Sequence, residues 1–187
     1  QPERSESWEV SVEQLVNDTW TIKLGYFDAA YRDLIDFDDE LFTNVNRDRV
    51  DANGVEASVR ADTQMLGQLR LHATWTNTRI AELDQALRGR PEWKWGAQWL
   101  FDIRADLTLT AEYLWVDEVT EASRHTGESV DYVLDAYDRV DLSLSWALHQ
   151  TLTLRAAVEN LLDESYQQAV GFPAPGRFVR LGFEWRP

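Results

Sequence analysis

Few residues of this sequence combine the types and the spacing that a chemical site requires. The densest group is the acidic run Asp36, Asp38, Asp39 and Glu40, and carboxylate oxygens are ligands that Ca²⁺ prefers. The run lacks the glycine and the ligand register of a defined calcium loop. A solvated acidic rim is therefore the favoured interpretation, and a calcium site is the alternative.

The other reactive residue types do not form a catalytic set. His72, His125 and His149 are far apart in the sequence and lack the spacing of metal ligands. They are instead interpreted as structural residues: His72 in a strand of the wall, His125 in a loop and His149 in a turn. No Ser/His/Asp arrangement, phosphate-binding glycine loop or zinc motif stands out. The sequence therefore predicts a protein that is not an enzyme and has no cofactor.

The elements that position these residues are β-strands. Large apolar side chains in residues 140–148 alternate with polar ones such as Asp141 and Ser143, and residues 152–158 and 179–185 alternate in the same way. Side chains of a strand point to opposite faces with a period of two. Each run is therefore predicted to be a strand with one apolar and one polar face.

Similar runs extend this pattern through the chain, and short turns alternate with long loops. Strands are predicted near residues 8–13, 20–26, 50–61, 69–75, 93–101, 107–115, 140–148, 152–158 and 179–185. The second strand is predicted to continue through residues 31–40 into a long acidic loop, and further long loops are predicted at residues 81–91, 117–135 and 161–176. Strands of about ten residues with short turns on one rim and long loops on the other are typical of a transmembrane β-barrel.

Gly54 allows two interpretations. The dipeptide Asn53-Gly54 between alternating residues is a strong signal for a two-residue hairpin. The alternation nevertheless continues through Val55, Ala57 and Val59. A glycine or bulge inside one strand is therefore the favoured interpretation.

Composition and charge narrow the function. The 187 residues carry a formal charge of −15, from 18 basic and 33 acidic residues, which argues against nucleic-acid binding because phosphate contacts need Lys and Arg. There is no cysteine, so no disulfide or thiolate is involved. Apolar runs are too short for a membrane helix, which suits a barrel because half of each strand faces water.

The apolar faces of the predicted strands could meet lipid or a second sheet, as in a β-sandwich. Lipid is favoured, because no charged residue occupies the apolar face within the strand windows and because aromatic residues recur toward strand ends. The residues expected to face the membrane or to form its aromatic girdle are Trp8, Trp20, Trp75, Trp93, Trp95, Trp99, Trp115, Trp146, Phe183 and Trp185.

Several segments resemble TonB-dependent outer-membrane receptors. The C-terminal pattern of that family is an Asn-Leu-x-Asp-x-x-Tyr segment, then Pro-Gly-Arg and a closing strand that ends in an aromatic residue. The matching positions here are Asn160, Leu161, Asp163, Tyr166, Pro175, Gly176, Arg177 and Trp185. The pattern differs in that Arg186 and Pro187 follow the aromatic residue. The segments YRDLIDF and NLLDESY are most similar to the smaller cobalamin receptors.

The resemblance implies an all-β, antiparallel up-and-down transmembrane barrel in the bacterial outer membrane. An odd count of nine strands suggests that residues 1–187 are the C-terminal segment of a 22-stranded barrel, with the plug domain absent from this chain. The implied function is active transport of a scarce metal chelate, cobalamin first and a ferric siderophore second, energised through TonB. The implied partners are outer-membrane lipid and lipopolysaccharide, the plug with the remaining strands, the TonB complex acting through that plug, and the chelate.

In this family the ligand is bound by the plug and by long extracellular loops. Aromatic and cationic loop residues are therefore the candidates for ligand binding, and a rim position that binds nothing is the default for each. They are Phe42, Arg47, Arg88, Tyr132 and Phe172. The alternative function is a small or self-associating barrel that acts as a pore or structural protein, whose first and last strands would need pairing.

Overall fold

The computed structural model describes residues 2–38, 41–123 and 130–187, and these form β-strands without any helix. No helix long and apolar enough to span a membrane occurs in those ranges. In chain order the strands are β1 (Arg4–Leu15), β2 (Trp20–Asp38), β3 (Thr43–Thr63), β4 (Gly67–Ile80), β5 (Trp93–Arg104), β6 (Leu107–Val116), β7 (Val119–Ser123), β8 (Val130–Leu134), β9 (Tyr137–His149), β10 (Leu152–Glu159), β11 (Gln167–Ala169), β12 (Phe172–Pro173) and β13 (Phe178–Trp185).

Nine of these strands form one antiparallel sheet in the order β1-β2-β3-β4-β5-β6-β9-β10-β13. The predicted all-β, antiparallel arrangement of nine strands is thereby confirmed. The sheet does not close on itself, because β1 and β13 are its two edges. Two small sheets, β7-β8 and β11-β12, lie within the long connections that were predicted as plain loops.

The register of the sheet separates an apolar from a polar face. One cross-strand row, for example, consists of Val12, Leu24, Ala57, Ala73 and Trp95. The adjacent row on the other face consists of Glu13, Lys23, Ser58, His72 and Gly96. Residues directly opposite one another on neighbouring strands share a face, so the alternation seen in the sequence becomes two continuous surfaces.

No second layer of protein covers the apolar face within the described residues. Leu24 is 56% exposed and Phe183 is 75% exposed, and the buried hydrophobic residues are limited to Ala29, Val50, Ala61, Ile80 and Val116. The accessible surface is 13070 Å², whereas a compact monomer of this mass exposes about 9,200 Å². The β-sandwich interpretation is therefore wrong for this part of the chain.

The tallest element is the β2–β3 hairpin, in which the second strand continues past Tyr26 as predicted, but the third strand begins before Val50, where the sequence predicts a long acidic loop. β2 continues to Asp38 and β3 begins at Thr43, with pairing almost to the ends of both strands. The strand turns locally at Asp33, where φ is 57°, and Asn46 Nδ2 donates to the Asp33 carbonyl at 2.7 Å. The extension of β3 escaped prediction because both of its faces carry polar residues, which hides the alternation.

Gly54 lies inside β3, as favoured from the sequence, and the hairpin interpretation is wrong. It pairs with Phe27 on one side and with Thr76 on the other. A Cβ at this position would lie 2.5 Å from Phe27 Cζ and 2.3 Å from the Trp75 carbonyl oxygen. Glycine is required here because the Phe27 ring and a neighbouring backbone approach so closely.

The tryptophan and phenylalanine residues expected at the membrane all lie on the apolar face by register. Two of them are tied to short turns of neighbouring hairpins. Trp99 Nε1 donates to the Leu66 carbonyl at 2.6 Å, and Trp146 Nε1 donates to Asp106 Oδ2 at 2.9 Å. Their contact with lipid remains a prediction.

Candidate functional site

A cleft of about 530 Å³ opens at the long-loop end of the sheet. It lies where the β2–β3 hairpin, the connection of residues 81–92 and the β7–β8 hairpin meet, and is called the rim cleft below. Its charged lining residues are Asp36, Asp38, Arg47, Arg88, Glu121 and Asp131. Phe37, Ile80 and Leu83 add an apolar portion.

Arg47 is held from two sides in the rim cleft. Its Nε lies 3.0 Å from Asp36 Oδ2 and its Nη2 lies 3.2 Å from Asp38 Oδ2, and its side chain is only 14% exposed. Burial lowers the pKa of Arg47, but the hydrogen bonds and negative charges of Asp36 and Asp38 outweigh this and raise it above the ordinary value. The guanidinium therefore remains charged at any physiological pH.

The structure describes only two of the four carboxylates considered as calcium ligands. Asp36 and Asp38 bind Arg47, whereas Asp39 and Glu40 lie outside the described residues. Across residues 2–38, 41–123 and 130–187 no group of three or more His, Asp or Glu side chains is arranged to hold a metal ion.

The connection of residues 81–92 joins the rim cleft to the tall hairpin. The Ala81 N–H donates to the Arg49 carbonyl at 3.0 Å. The Asp48 N–H, also on β3, donates to the Glu82 carboxylate. These two bonds fix the start of the connection against β3.

The far half of the same connection is bound to the β7–β8 hairpin. Arg88 Nη2 lies 2.7 Å from Asp131 Oδ1, and the Gly89 N–H donates to the Thr120 carbonyl at 3.0 Å. Gly89 has φ 70°, and a Cβ there would lie 2.7 Å from Glu121 Oε1. The connection therefore links the two hairpins that form the walls of the rim cleft.

The structure brings together two of the five residues predicted to bind ligand, Arg47 and Arg88. Arg47 lies in β3 opposite Leu34, not in a loop as the sequence suggested. Phe42 follows β2 at the top of the tall hairpin, with its ring against Phe37 at 5.4 Å.

Tyr132 in β8 and the exposed Phe172 in β12 do not line the rim cleft, and neither does Phe42. Sequence reasoning missed Glu121 and Asp131, because residues 117–135 were read as one undivided loop. The only available signal was their acidity.

Negative charge is concentrated at the long-loop end. By sequence, 22 of the 33 acidic residues but only nine of the 18 basic residues fall in the strand ends and connections at the long-loop end. Those segments are residues 2–7, 28–53, 77–92, 117–138 and 160–177. A field of this sign disfavours anions near this end of the sheet, so an anionic ligand would depend on the arginines of the rim cleft for compensation.

Asn160 organises the last long connection, residues 160–177. It is 2% exposed and has φ 49°. Its N–H donates to Asp141 Oδ1 at 2.9 Å, and its Nδ2 donates to the carbonyls of Glu164 at 2.9 Å and Pro175 at 3.3 Å. Its Oδ1 accepts from the Glu164 N–H at 2.9 Å. The buried side chain thus joins the two ends of the connection to each other, and the backbone N–H of the same residue binds β9.

Other residues of the C-terminal motif support the same connection. Asp163 Oδ1 accepts from the Arg177 N–H at 2.7 Å, and a Cβ on Gly176 would lie 2.8 Å from that oxygen. Tyr166 stacks on Tyr137 of β9 with ring centroids 3.9 Å apart. The motif therefore shapes the connection instead of presenting reactive groups.

The described histidines take structural positions. The His72 ring lies beside Gly96 on the polar face, where a Cβ would be 2.7 Å from His72 Cε1. His149 Nδ1 lies 3.1 Å from Thr151 Oγ1 in the turn after β9. His125 lies outside the described residues.

Solved structures with this arrangement include several receptors. The ferripyoverdine receptor of the outer membrane of Pseudomonas aeruginosa is 14% identical, with a TM-score of 0.80 over 99% of this chain and 27% of that chain. The ferric enterobactin receptor of the same organism, in a G324V mutant, is 18% identical, with a TM-score of 0.80 over 98% of this chain and 31% of that chain. The ferric-catecholate import receptor of Escherichia coli K12 is 16% identical, with a TM-score of 0.77 over 99% of this chain and 28% of that chain.

At these identities the structural likeness establishes the fold alone. The chain spans between 27% and 31% of the length of these three receptors. A family model described as TonB dependent receptor-like, beta-barrel matches residues 1–161, which is most of the sequence. The chain therefore belongs to the TonB-dependent-receptor-like β-barrel family.

Proposed function

We propose that this chain is the C-terminal part of the barrel wall of a bacterial outer-membrane receptor that imports a metal chelate, energised through TonB. The plug domain and the remaining strands would be contributed by other parts of the full-length receptor. The barrel wall itself binds, positions and encloses the chelate. It performs no covalent chemistry on the chelate.

The observation that carries the proposal is the uncovered apolar face of the nine-stranded sheet. Exposed apolar patches beyond a few hundred Å² on soluble proteins mark contact with another apolar phase, and this face extends across the whole sheet. On β5 it runs from Trp93 to Phe101, about 26 Å along the strand at 3.3 Å per residue, or about 20 Å along the normal for a strand tilted by about 35–45°, which is close to the apolar band of about 25 Å in such barrels. Outer-membrane lipid, including lipopolysaccharide, is the proposed covering.

The polar face and the rim cleft would serve transport. The polar face would line the lumen and contact the plug, through which TonB acts. The rim cleft has the size of a small-molecule site and lies at the end that would face the medium. The three solved receptors are named for ferripyoverdine, ferric enterobactin and ferric catecholate, which favours a ferric siderophore over the cobalamin suggested by sequence resemblance.

The test uses the full-length protein, extracted from membranes in detergent. Ferripyoverdine, ferric enterobactin and cyanocobalamin are titrated in turn while tryptophan fluorescence is recorded. We expect one of the ferric chelates to bind, and Arg88→Gln to weaken that binding about tenfold, because the variant removes a cation from the rim cleft and releases Asp131.

Arg90→Gln is the matched control, since Arg90 lies in the same connection but does not line the rim cleft. Its affinity should equal that of the unmodified protein. Binding of cyanocobalamin alone would overturn the siderophore assignment. Ion conduction without binding of any of the three would favour the pore alternative.

A further inference from the structure

Three arginines form one cross-strand row on the first three strands of the sheet. Arg4 on β1 is directly opposite Arg32 on β2, and Arg32 is directly opposite Arg49 on β3. Each arginine is an even number of residues from an apolar-face residue of its own strand, such as Trp8 or Val55. By register, the row lies on the same side of the sheet as the apolar band.

The height of this row matches the polar zone of a membrane. Arg4 lies four residues beyond Trp8, and Arg32 and Arg49 lie six residues beyond Tyr26 and Val55. These separations are about 13 Å and 20 Å along the strands, or about 10 Å and 15 Å along the membrane normal for strands tilted by about 35–45°. Headgroups occupy about 5–8 Å beyond the hydrocarbon core on each side. Arginine side chains are long enough to reach back into that zone.

The row is unusual because like charges directly opposite one another repel. Arg49 is bound by Asp51, at 2.8 Å from Nε to Oδ1. Within the described residues the structure records no ion pair or side-chain hydrogen bond for Arg4 or Arg32. The next row toward the membrane holds Glu6, Asp51 and Arg79, and the row after it holds Asp28. The three rows together carry four positive and three negative charges, and the positive charges are concentrated in the arginine row.

We propose that Arg4, Arg32 and Arg49 bind the phosphate groups of an anionic lipid in the outer leaflet. Planar guanidinium groups match phosphate oxygens and bind them through paired hydrogen bonds. A lipid is the occupant because the row continues the face proposed to contact lipid, away from the lumen. The inference rests on the membrane placement proposed above.

The experiment uses the full-length protein reconstituted in phosphatidylcholine nanodiscs. Bisphosphorylated lipid A is titrated in, and the bound lipid is counted by native mass spectrometry. Arg32→Gln should weaken lipid A binding about fivefold, since one arginine near an anionic surface contributes about that factor. Arg60→Gln, on β3 but on the polar face, is the matched control and should bind as the unmodified protein does.

A dephosphorylated lipid A should bind all three proteins equally. Equal binding of bisphosphorylated lipid A by Arg32→Gln and the unmodified protein would overturn the proposal. So would full competition by inorganic phosphate at the same concentration, which would indicate a free-phosphate site. If Arg32→Gln does not fold, Arg4→Gln at the edge strand takes its place.

Failure of the membrane placement would look different. In that case the unmodified protein would not enter nanodiscs at all, whatever lipid they contain.

Discussion

Replacing Asn160 with alanine should open the last long connection, residues 160–177, because the side chain that joins its two ends is lost. The change removes three hydrogen bonds, to the N–H and carbonyl of Glu164 and to the carbonyl of Pro175, and because water can reach these groups each lost bond costs about 0.5–1.5 kcal/mol. It also places a Cβ-bearing residue without a local hydrogen bond at φ 49°, at a cost of about 1–2 kcal/mol. We expect a local loss of about 3–5 kcal/mol.

Amide hydrogen exchange of the full-length protein measures this loss directly. Peptides from residues 161–177 should lose most of their protection, while peptides from β3 to β5 keep theirs. Asn160→Gly separates the two causes, because glycine tolerates the backbone angle but lacks the side-chain bonds. The protection of residues 161–177 in Asn160→Gly should lie between that of the unmodified protein and that of Asn160→Ala. Unchanged protection in both variants would show that Asn160 does not hold the connection.

The sequence predicts the sheet wherever one face meets an apolar phase. Residues 93–101 and 107–115 alternate strictly, and β5 and β6 appear where expected. Beyond the apolar band the alternation no longer has a physical cause, because both faces meet water. The sequence therefore predicts loops in place of the first residues of β3 and in place of the β7–β8 hairpin.

The candidate site was predictable only as separate residues. Arg47 and Arg88 followed from a general expectation about cationic loop residues, but their common cleft depends on the extension of β3 and on the bond between Gly89 and Thr120. The C-terminal motif was recognised, yet its role depends on Asn160 reaching Pro175, a contact that spacing alone does not reveal.

The sharpest test of the apolar face is an arginine placed within it. Leu71 on β4 lies between Val59 and Ala97 in the middle of the band and is 41% exposed. If lipid covers this face, Leu71→Arg should lower the free energy of unfolding by about 2–4 kcal/mol. If water covers it, an exposed substitution of this kind should change that free energy by only about 0.5 kcal/mol. Urea titration of the full-length protein in phosphatidylcholine vesicles measures the difference.

Thr74→Arg is the matched control on the polar face of the same strand. Thr74 lies directly opposite Glu56 and Lys94, so the new guanidinium meets one charge of each sign and should be tolerated within about 0.5 kcal/mol. Leu71→Ala measures the part that comes from lost leucine contacts alone. Equal destabilisation by Leu71→Arg and Thr74→Arg would place the cost in strand packing. A large cost for Leu71→Arg that exceeds both controls would show that an apolar medium without water covers this face, since such a medium penalises the charge itself.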